Sequence, residues 1–316
     1  MKNKIISFTL LYILLVNGIT PLYASRYPIK IITNDWTTQI VLSIITGELL
    51  ENRGYQIEYI NMPTSAQWYK IGSGTVHVQM EVWQGTMEEE YLYLMESHSI
   101  LDLGNHPATT REDWWYPEYV EKYCPGLPNW QALKKCAHVF AKGNDEQRGL
   151  YLGGPWEKPD SDRIIALGLN FNLVRVSHGD ELWVELENAY QSEKPIVLFN
   201  WTPNWVELKY KGKFIEFPEY DAKCEIDPSW GVNPYSTYDC GNPKQGWLKK
   251  IAWIGLKQDY PCAVQLIERI ELNGSQFSTL SYWVDVEKLS HQQAAERWLK
   301  ENEPVWREWL RFSCKD

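Results

Sequence analysis

The stretch His77-Val78-Gln79-Met80-Glu81-Val82-Trp83-Gln84-Gly85-Thr86 decides how the chain is read. From Val76 to Val82, valines and a methionine alternate with polar residues, the pattern of a half-buried strand, and the run ends on a tryptophan just before Gly85. The same grammar recurs twice. Pro28-Ile29-Lys30-Ile31-Ile32-Thr33 leads into Asn34-Asp35-Trp36-Thr37, and Pro195-Ile196-Val197-Leu198-Phe199 leads into Asn200-Trp201-Thr202-Pro203. In an α/β sheet, ligands bind in the crevice beyond the carboxyl ends of the strands, so tryptophans carried there by separate strands are candidates to wall one pocket. By alternation Glu81 shares the face of Trp83, but no motif gives it a partner.

Outward from this stretch, Thr37 or Thr38 is expected to cap a helix with apolar positions Ile40, Val41, Ile44, Ile45, Leu49 and Leu50, ended by Gly54. Tyr55 to Ile60 reads as a strand and Ser65 to Ile71 as a short helix, completing β-α-β-α-β, the repeat of a mostly parallel sheet. A helix is expected from Met87 to His98, and Gly104-Asn105-His106-Pro107 marks a crossing to a second unit. There, strands near 148–152, 173–176 and 195–199 alternate with helices over 162–169 and 181–190. Two such units imply two lobes, expected at 25–107 with 214–316, and at 108–213. The segment 216–247, punctuated by Pro218, Pro228, Pro234 and Pro243, reads as a long connection. The remainder is expected to be helical, with a capping box at Ser290-His291-Gln292-Gln293.

The amino terminus carries Lys2 and Lys4, an apolar run from Ile5 to Val16, and Leu22-Tyr23-Ala24 before Ser25. This reads as a secretory signal over 1–24, too short in its apolar part to span a bilayer, with a retained anchor as the alternative, so the mature chain is expected to be periplasmic. The cysteine usage agrees: Cys124, Cys136, Cys224, Cys240, Cys262 and Cys314 form an even set without Cys-x-x-Cys spacing, and disulfides are the default. Fifteen pairings are open to six cysteines; neighbours closing small loops, Cys124 with Cys136 and Cys224 with Cys240, would leave Cys262 for Cys314. The formal charge is −10. Removing the signal takes two lysines and no acid, leaving −12, and no Lys/Arg run stands out. Nucleic acid and anionic membrane are therefore not expected as partners.

Trp36, Trp83, Trp156 and Trp201 each follow a strand or a Gly/Pro turn at a strand's end. Indole faces attract diffuse cations, at about 0.5 to 2 kcal/mol per contact, so a box of them suits a methylated ammonium. A sugar also stacks on tryptophan but needs a dense ring of hydrogen-bonding groups. No activated nucleophile, acid–base pair, phosphate loop or His-rich metal pattern has recognisable spacing, so no enzyme activity, cofactor or metal is expected.

Asn34-Asp35-Trp36-Thr37, Glu81-Val82-Trp83, Tyr151-Leu152-Gly153-Gly154-Pro155 and Asn200-Trp201-Thr202-Pro203-Asn204-Trp205 resemble the glycine betaine/choline substrate-binding proteins of ABC importers. The likeness spans nearly all of the mature chain. Asp113-Trp114-Trp115-Tyr116-Pro117-Glu118-Tyr119-Val120 followed by Cys124-Pro125-Gly126-Leu127-Pro128 is most similar to trimethylamine N-oxide-binding members. The resemblance implies an α/β, two-lobed periplasmic-binding-protein fold of type II, each lobe a mostly parallel sheet flanked by helices. It further implies a monomer that closes around a small methylated amine and delivers it to a membrane permease. Trp36 and Trp83 would come from one lobe, Trp156 and Trp201 from the other.

Betaine binders of this family commonly have histidine where this chain has Asn204, which turns the expectation toward trimethylamine N-oxide. Glycine betaine, choline, carnitine or dimethylsulfoniopropionate is the alternative. Glu118 points the same way: kept protonated among indoles, it would donate to an N-oxide oxygen. Asp35 is expected to cap the first helix or touch the ligand, and Trp115, Tyr116 and Trp205 to line the cleft or pack beneath it.

Overall fold

The computed structural model describes residues 27–143, 147–156 and 158–314; the expected signal segment lies outside them. The strands are Ile29–Thr33 (β1), Ile57–Asn61 (β2), Val78–Trp83 (β3), Ile100–Asn105 (β4), Arg111–Pro117 (β5), Gly149–Gly153 (β6), Phe171–Arg175 (β7), Val197–Thr202 (β8), Gly212–Phe214 (β9) and Leu248–Trp253 (β10). They form two sheets, ordered β2-β1-β3-β10-β4 and β7-β6-β8-β5-β9. The first draws on residues 29–105 and 248–253, the second on residues 111–214. Helices flank both, and the fold is a two-lobed α/β architecture.

The sheets are built alike. β1 lies parallel between β2 and β3, as β6 does between β7 and β8, while β10 and β5 run antiparallel to both their neighbours. Each sheet is thus mixed: a parallel core of three strands and one reversed strand. The reversed strand is in each case the first one formed after the chain changes sheets, over 106–110 for β5 and over 215–247 for β10. β10 falls in the part of the sequence expected to be helical, and β5 was not expected as a strand. Six of the seven β5 residues are buried, so it lacks the two-residue alternation that marks a half-exposed strand.

β3 is buried at every position, Gln79 and Glu81 included. It is the middle strand of its sheet and both faces are covered, so the alternation read in the sequence separates an apolar face from a buried polar one. Gln79 is held in a network of amides. Its Nε2 donates to Asn34 Oδ1 at 2.8 Å and Gln67 Oε1 at 2.6 Å, and its Oε1 accepts from Gln39 Nε2 at 2.8 Å. Satisfied in this way, buried amides cost little and fix the register of β1 against β3.

The helix Thr37–Asn52 (α1) begins at Trp36 without a side-chain cap. Thr37 and Thr38, expected to cap it, donate their hydroxyls to Asp285 Oδ1 and Glu81 Oε2 instead. The capping box at Ser290 is present, and a second one forms at Asn273 with Gln276. Disulfides join Cys124 to Cys136, Cys224 to Cys240, and Cys262 to Cys314. Among the described residues no helix is long and apolar enough to cross a membrane.

Candidate functional site

β1 and β3 run parallel, so they deliver Trp36 and Trp83 to the same edge of the first sheet; β6 and β8 likewise deliver Trp156 and Trp201 to one edge of the second. The two edges meet. Trp36, Trp83, Trp156 and Trp201, with Thr86, Met87, Glu112 and Phe199, line a cavity of about 30 Å³ between the sheets. That is far below the ~300–1,000 Å³ common for ligand pockets, so the four indoles stand closed upon one another and must part to admit even a compact ligand. Trp156 stands edge-on to Trp36, ring centroids 6.2 Å apart, and edge-on to Trp201 at 5.3 Å. Its ring lies over Gly154 and beside Gly179, where a Cβ would come within 2.4 Å and 2.9 Å of it. Only glycine leaves room for the indole there.

Asp35 does not cap α1. Its Oδ1 accepts the indole N–H of Trp156 at 2.9 Å, a hydrogen bond from one sheet's residues to the other's. Trp205 is buried behind the box, with Trp183 between it and Trp201 at centroid distances of 5.5 and 5.0 Å. Asn204 donates to Asn200 Oδ1 and accepts from the Val206 amide, both at 2.8 Å, and so braces the end of β8.

Glu118, Trp115 and Tyr116 do not reach the cavity. Glu118 opens a short 3₁₀ turn beyond β5, half exposed, and pairs with Lys213 at 3.3 Å. The Trp115 ring lies against the backbone of Gly212 in β9, and the Tyr116 hydroxyl donates to Glu121. The carboxylate that lines the cavity is Glu112. It sits opposite Trp201 in the β5–β8 ladder, and opposed residues in a ladder share a face. Glu118 has the same parity but lies six residues further along, about 20 Å at 3.4 Å per residue.

Glu112 is buried and arranged for contact. Its Oε1 accepts from Thr86 Oγ1 and lies 3.3 Å from Lys158 Nζ. Its Oε2 is buried without a hydrogen-bond partner among the described residues. Lys158 reaches across to the first sheet's residues, donating to Thr86 Oγ1 at 2.7 Å and the Gly85 carbonyl at 3.4 Å. A Cβ on Gly85 would stand 2.7 Å from Glu112 Oε2, so the glycine makes room for the carboxylate.

Glu81, a bystander in the sequence reading, lies beneath the box. Its Oε2 accepts the indole N–H of Trp36 at 2.7 Å and of Trp83 at 3.1 Å, besides the Thr38 hydroxyl at 3.0 Å. Full burial pushes its carboxyl up to about 7, against the pull of those three donors. Asp285, bonded to Thr37, is likewise raised by burial to about 6.

A family model, the substrate-binding domain of ABC-type glycine betaine transport systems, matches residues 27–301. The chain belongs to this family. It is the substrate-binding component of an ABC importer. It is 32% identical over 298 residues to a trimethylamine N-oxide-binding protein of Pelagibacter ubique (strain HTCC1062), with 92% of each chain covered. A glycine betaine/carnitine transport binding protein of Listeria monocytogenes serotype 1/2a (strain 10403S) is 27% identical over 124 residues, 39% of this chain and 34% of that one. Among solved structures, a choline-binding ABC-transporter protein in complex with choline has a TM-score of 0.71 at 15% identity, covering 90% of this chain and 91% of the other. A lactococcal protein of the family, closed on glycine betaine, has a TM-score of 0.68 at 16% identity, covering 90% and 99%. At these identities the structures bear on the fold alone.

Proposed function

We propose that this protein is exported to the periplasm, captures a small methylated amine in the indole-walled cavity and hands it to the permease of its importer, with trimethylamine N-oxide as the favoured ligand. One observation carries the reading: four indoles drawn from both lobes surround a small cavity whose buried polar group is a carboxylate. Indole faces hold the methylated, positive end; Glu112 meets the other end. Its Oε2, buried without a hydrogen-bond partner among the described residues, is the polar atom left available to that end. Division of the lobes at 107/108 and 213/214 is supported by the residues each sheet draws on. Because neither lobe holds the whole box, binding and closure are one process.

Glycine betaine is the second reading, and Lys158 is what favours it. A betaine carboxylate set beside Glu112 would be repelled unless the Lys158 ammonium turned toward it. Calorimetry with trimethylamine N-oxide, glycine betaine, choline, carnitine, dimethylsulfoniopropionate and a saccharide tests both, with Trp83→Ala as control. Tight binding of the N-oxide that Trp83→Ala abolishes supports the proposal. Saccharide binding with no response to methylated compounds overturns it.

A further inference from the structure

Two walls of the box stand on one carboxylate. Trp36 follows β1, Trp83 ends β3, and both indole N–H groups converge on a single oxygen of Glu81, which is wholly buried. Its other oxygen, Oε1, is buried without a partner among the described residues. A carboxylate needed only to orient two indoles would be expected to satisfy both oxygens, or to be replaced by an amide, which accepts as well and costs far less to bury.

The charged groups near Glu81 are few. On the elements around it, His106 holds the Met80 carbonyl through Nε2 at 3.0 Å, and Lys250 of β10 turns away to the carbonyls of Glu268 and Ile270. Asp35 precedes α1 and is engaged by Trp156; Asp285 is engaged by Thr37. Across the cavity Glu112 is paired with Lys158. Among the described residues no cation is within ion-pairing distance of Glu81. The position left for a compensating positive charge is the far side of the two indoles, inside the cavity.

We propose that Glu81 is the buried counter-charge of the binding site: in its ionised form it enriches the Trp36 and Trp83 rings through their N–H bonds and attracts the positive end of the ligand across them. An N–H donated to an anion leaves the ring more negative, and the ring face is what a methylated ammonium touches. Glu81 touches no ligand atom; it positions the indoles and charges them. This rests on the box holding a methylated amine.

Binding is then linked to ionisation. The ligand favours the charged form of Glu81, so affinity rises with pH through the neutral range and a proton is released on binding below it. Asp285 titrates close by, so a pH slope alone does not decide, whereas Glu81→Gln does. The amide keeps an oxygen for the indoles and removes the charge.

The experiment is calorimetric titration of wild type and Glu81→Gln with trimethylamine N-oxide and with choline from pH 5.5 to 8.5. Wild-type affinity for choline, whose charge is permanent, is expected to fall about tenfold toward low pH, the equivalent of one pKa unit of linkage. Glu81→Gln is expected to bind at the wild-type low-pH level throughout and to lose the slope. Wild-type affinity and slope in Glu81→Gln would overturn the inference while leaving the box intact. Failure of every methylated probe to bind wild type would overturn the inference together with the function it rests on. Near-ultraviolet circular dichroism of the tryptophans checks that the variant's box is formed.

Discussion

Trp156 Nε1 donates to Asp35 Oδ1 at 2.9 Å, and this bond joins two residues that belong to different sheets. It exists only while the lobes are together, so its free energy enters ligand affinity and is absent from the stability of the open protein. Asp35 is exposed on its other side, which holds the bond to about 1 kcal/mol. Asp35→Ala is expected to weaken ligand binding about fivefold and to leave the ligand-free melting temperature unchanged. Titration calorimetry beside a thermal melt without ligand separates the two effects.

Glu112 in β5 and Glu118 just beyond it give a paired test. Glu112→Gln alters a group that lines the cavity, whereas Glu118→Gln alters a half-exposed partner of Lys213 outside it. Loss of a hydrogen bond involving a charged group is worth about 1.5–3 kcal/mol, or roughly ten- to a hundredfold in affinity. Glu112→Gln takes the charge from the bond to Lys158, the side chain that ties the two lobes, and is expected to lose that much for trimethylamine N-oxide, and Glu118→Gln to bind as wild type. The reverse outcome would return the polar contact to Glu118.

What the sequence makes legible here is whatever depends on local pattern. Trp36, Trp83 and Trp201 stand at strand ends, and strand ends can be read from runs of β-branched residues followed by Gly, Asn or Pro. Glu112 could not be picked out from its neighbours, because β5 is buried on both faces and nothing local in the sequence separates Glu112 within the strand from Glu118 just beyond its end. Its signal would have been the pairing of β5 with β8, a contact between segments more than eighty residues apart. Glu81 is hidden for a related reason. Its indole partners are the one two residues on and another from just beyond β1, and only the β1–β3 adjacency brings Trp36 to it. The reversed strands β5 and β10 are topological insertions, invisible to an argument built on β-α-β repeats.

Lys158 holds Glu112 while also bonding Thr86 and the Gly85 carbonyl across the cleft. Both members of the ion pair are buried, and removal of one partner from such a pair leaves an uncompensated charge, at about 3–5 kcal/mol in a dry site. Lys158→Met is expected to weaken ligand binding by more than a hundredfold. Glu112→Gln combined with Lys158→Met should recover part of that loss, since no bare charge is then buried. A double-mutant cycle measured by calorimetry gives the coupling; additive losses would mean the two side chains act separately.

The charge beneath the indoles also has a consequence for stability. Glu81 is raised to about 7 and Asp285 to about 6, both above the value of an unfolded carboxyl near 4.5 or 3.8. A carboxyl raised in the folded state adds nothing below its unfolded value and opposes folding increasingly as pH rises to the folded value, beyond which the loss is complete. The ligand-free protein is therefore expected to be more stable near pH 5 than near pH 8, with Glu81 contributing about 3 kcal/mol of the difference at ~1.4 kcal/mol per tenfold change in acidity. Glu81→Gln should remove that contribution, melting higher than wild type at pH 8 and almost level with it at pH 5. If the variant instead melts lower at pH 8, the ionised carboxylate is stabilised by its three donors more than it is penalised by burial, and the two indoles are anchored by charge at no cost to the fold. Denaturant melts of both proteins at the two pH values, without ligand, decide between these outcomes.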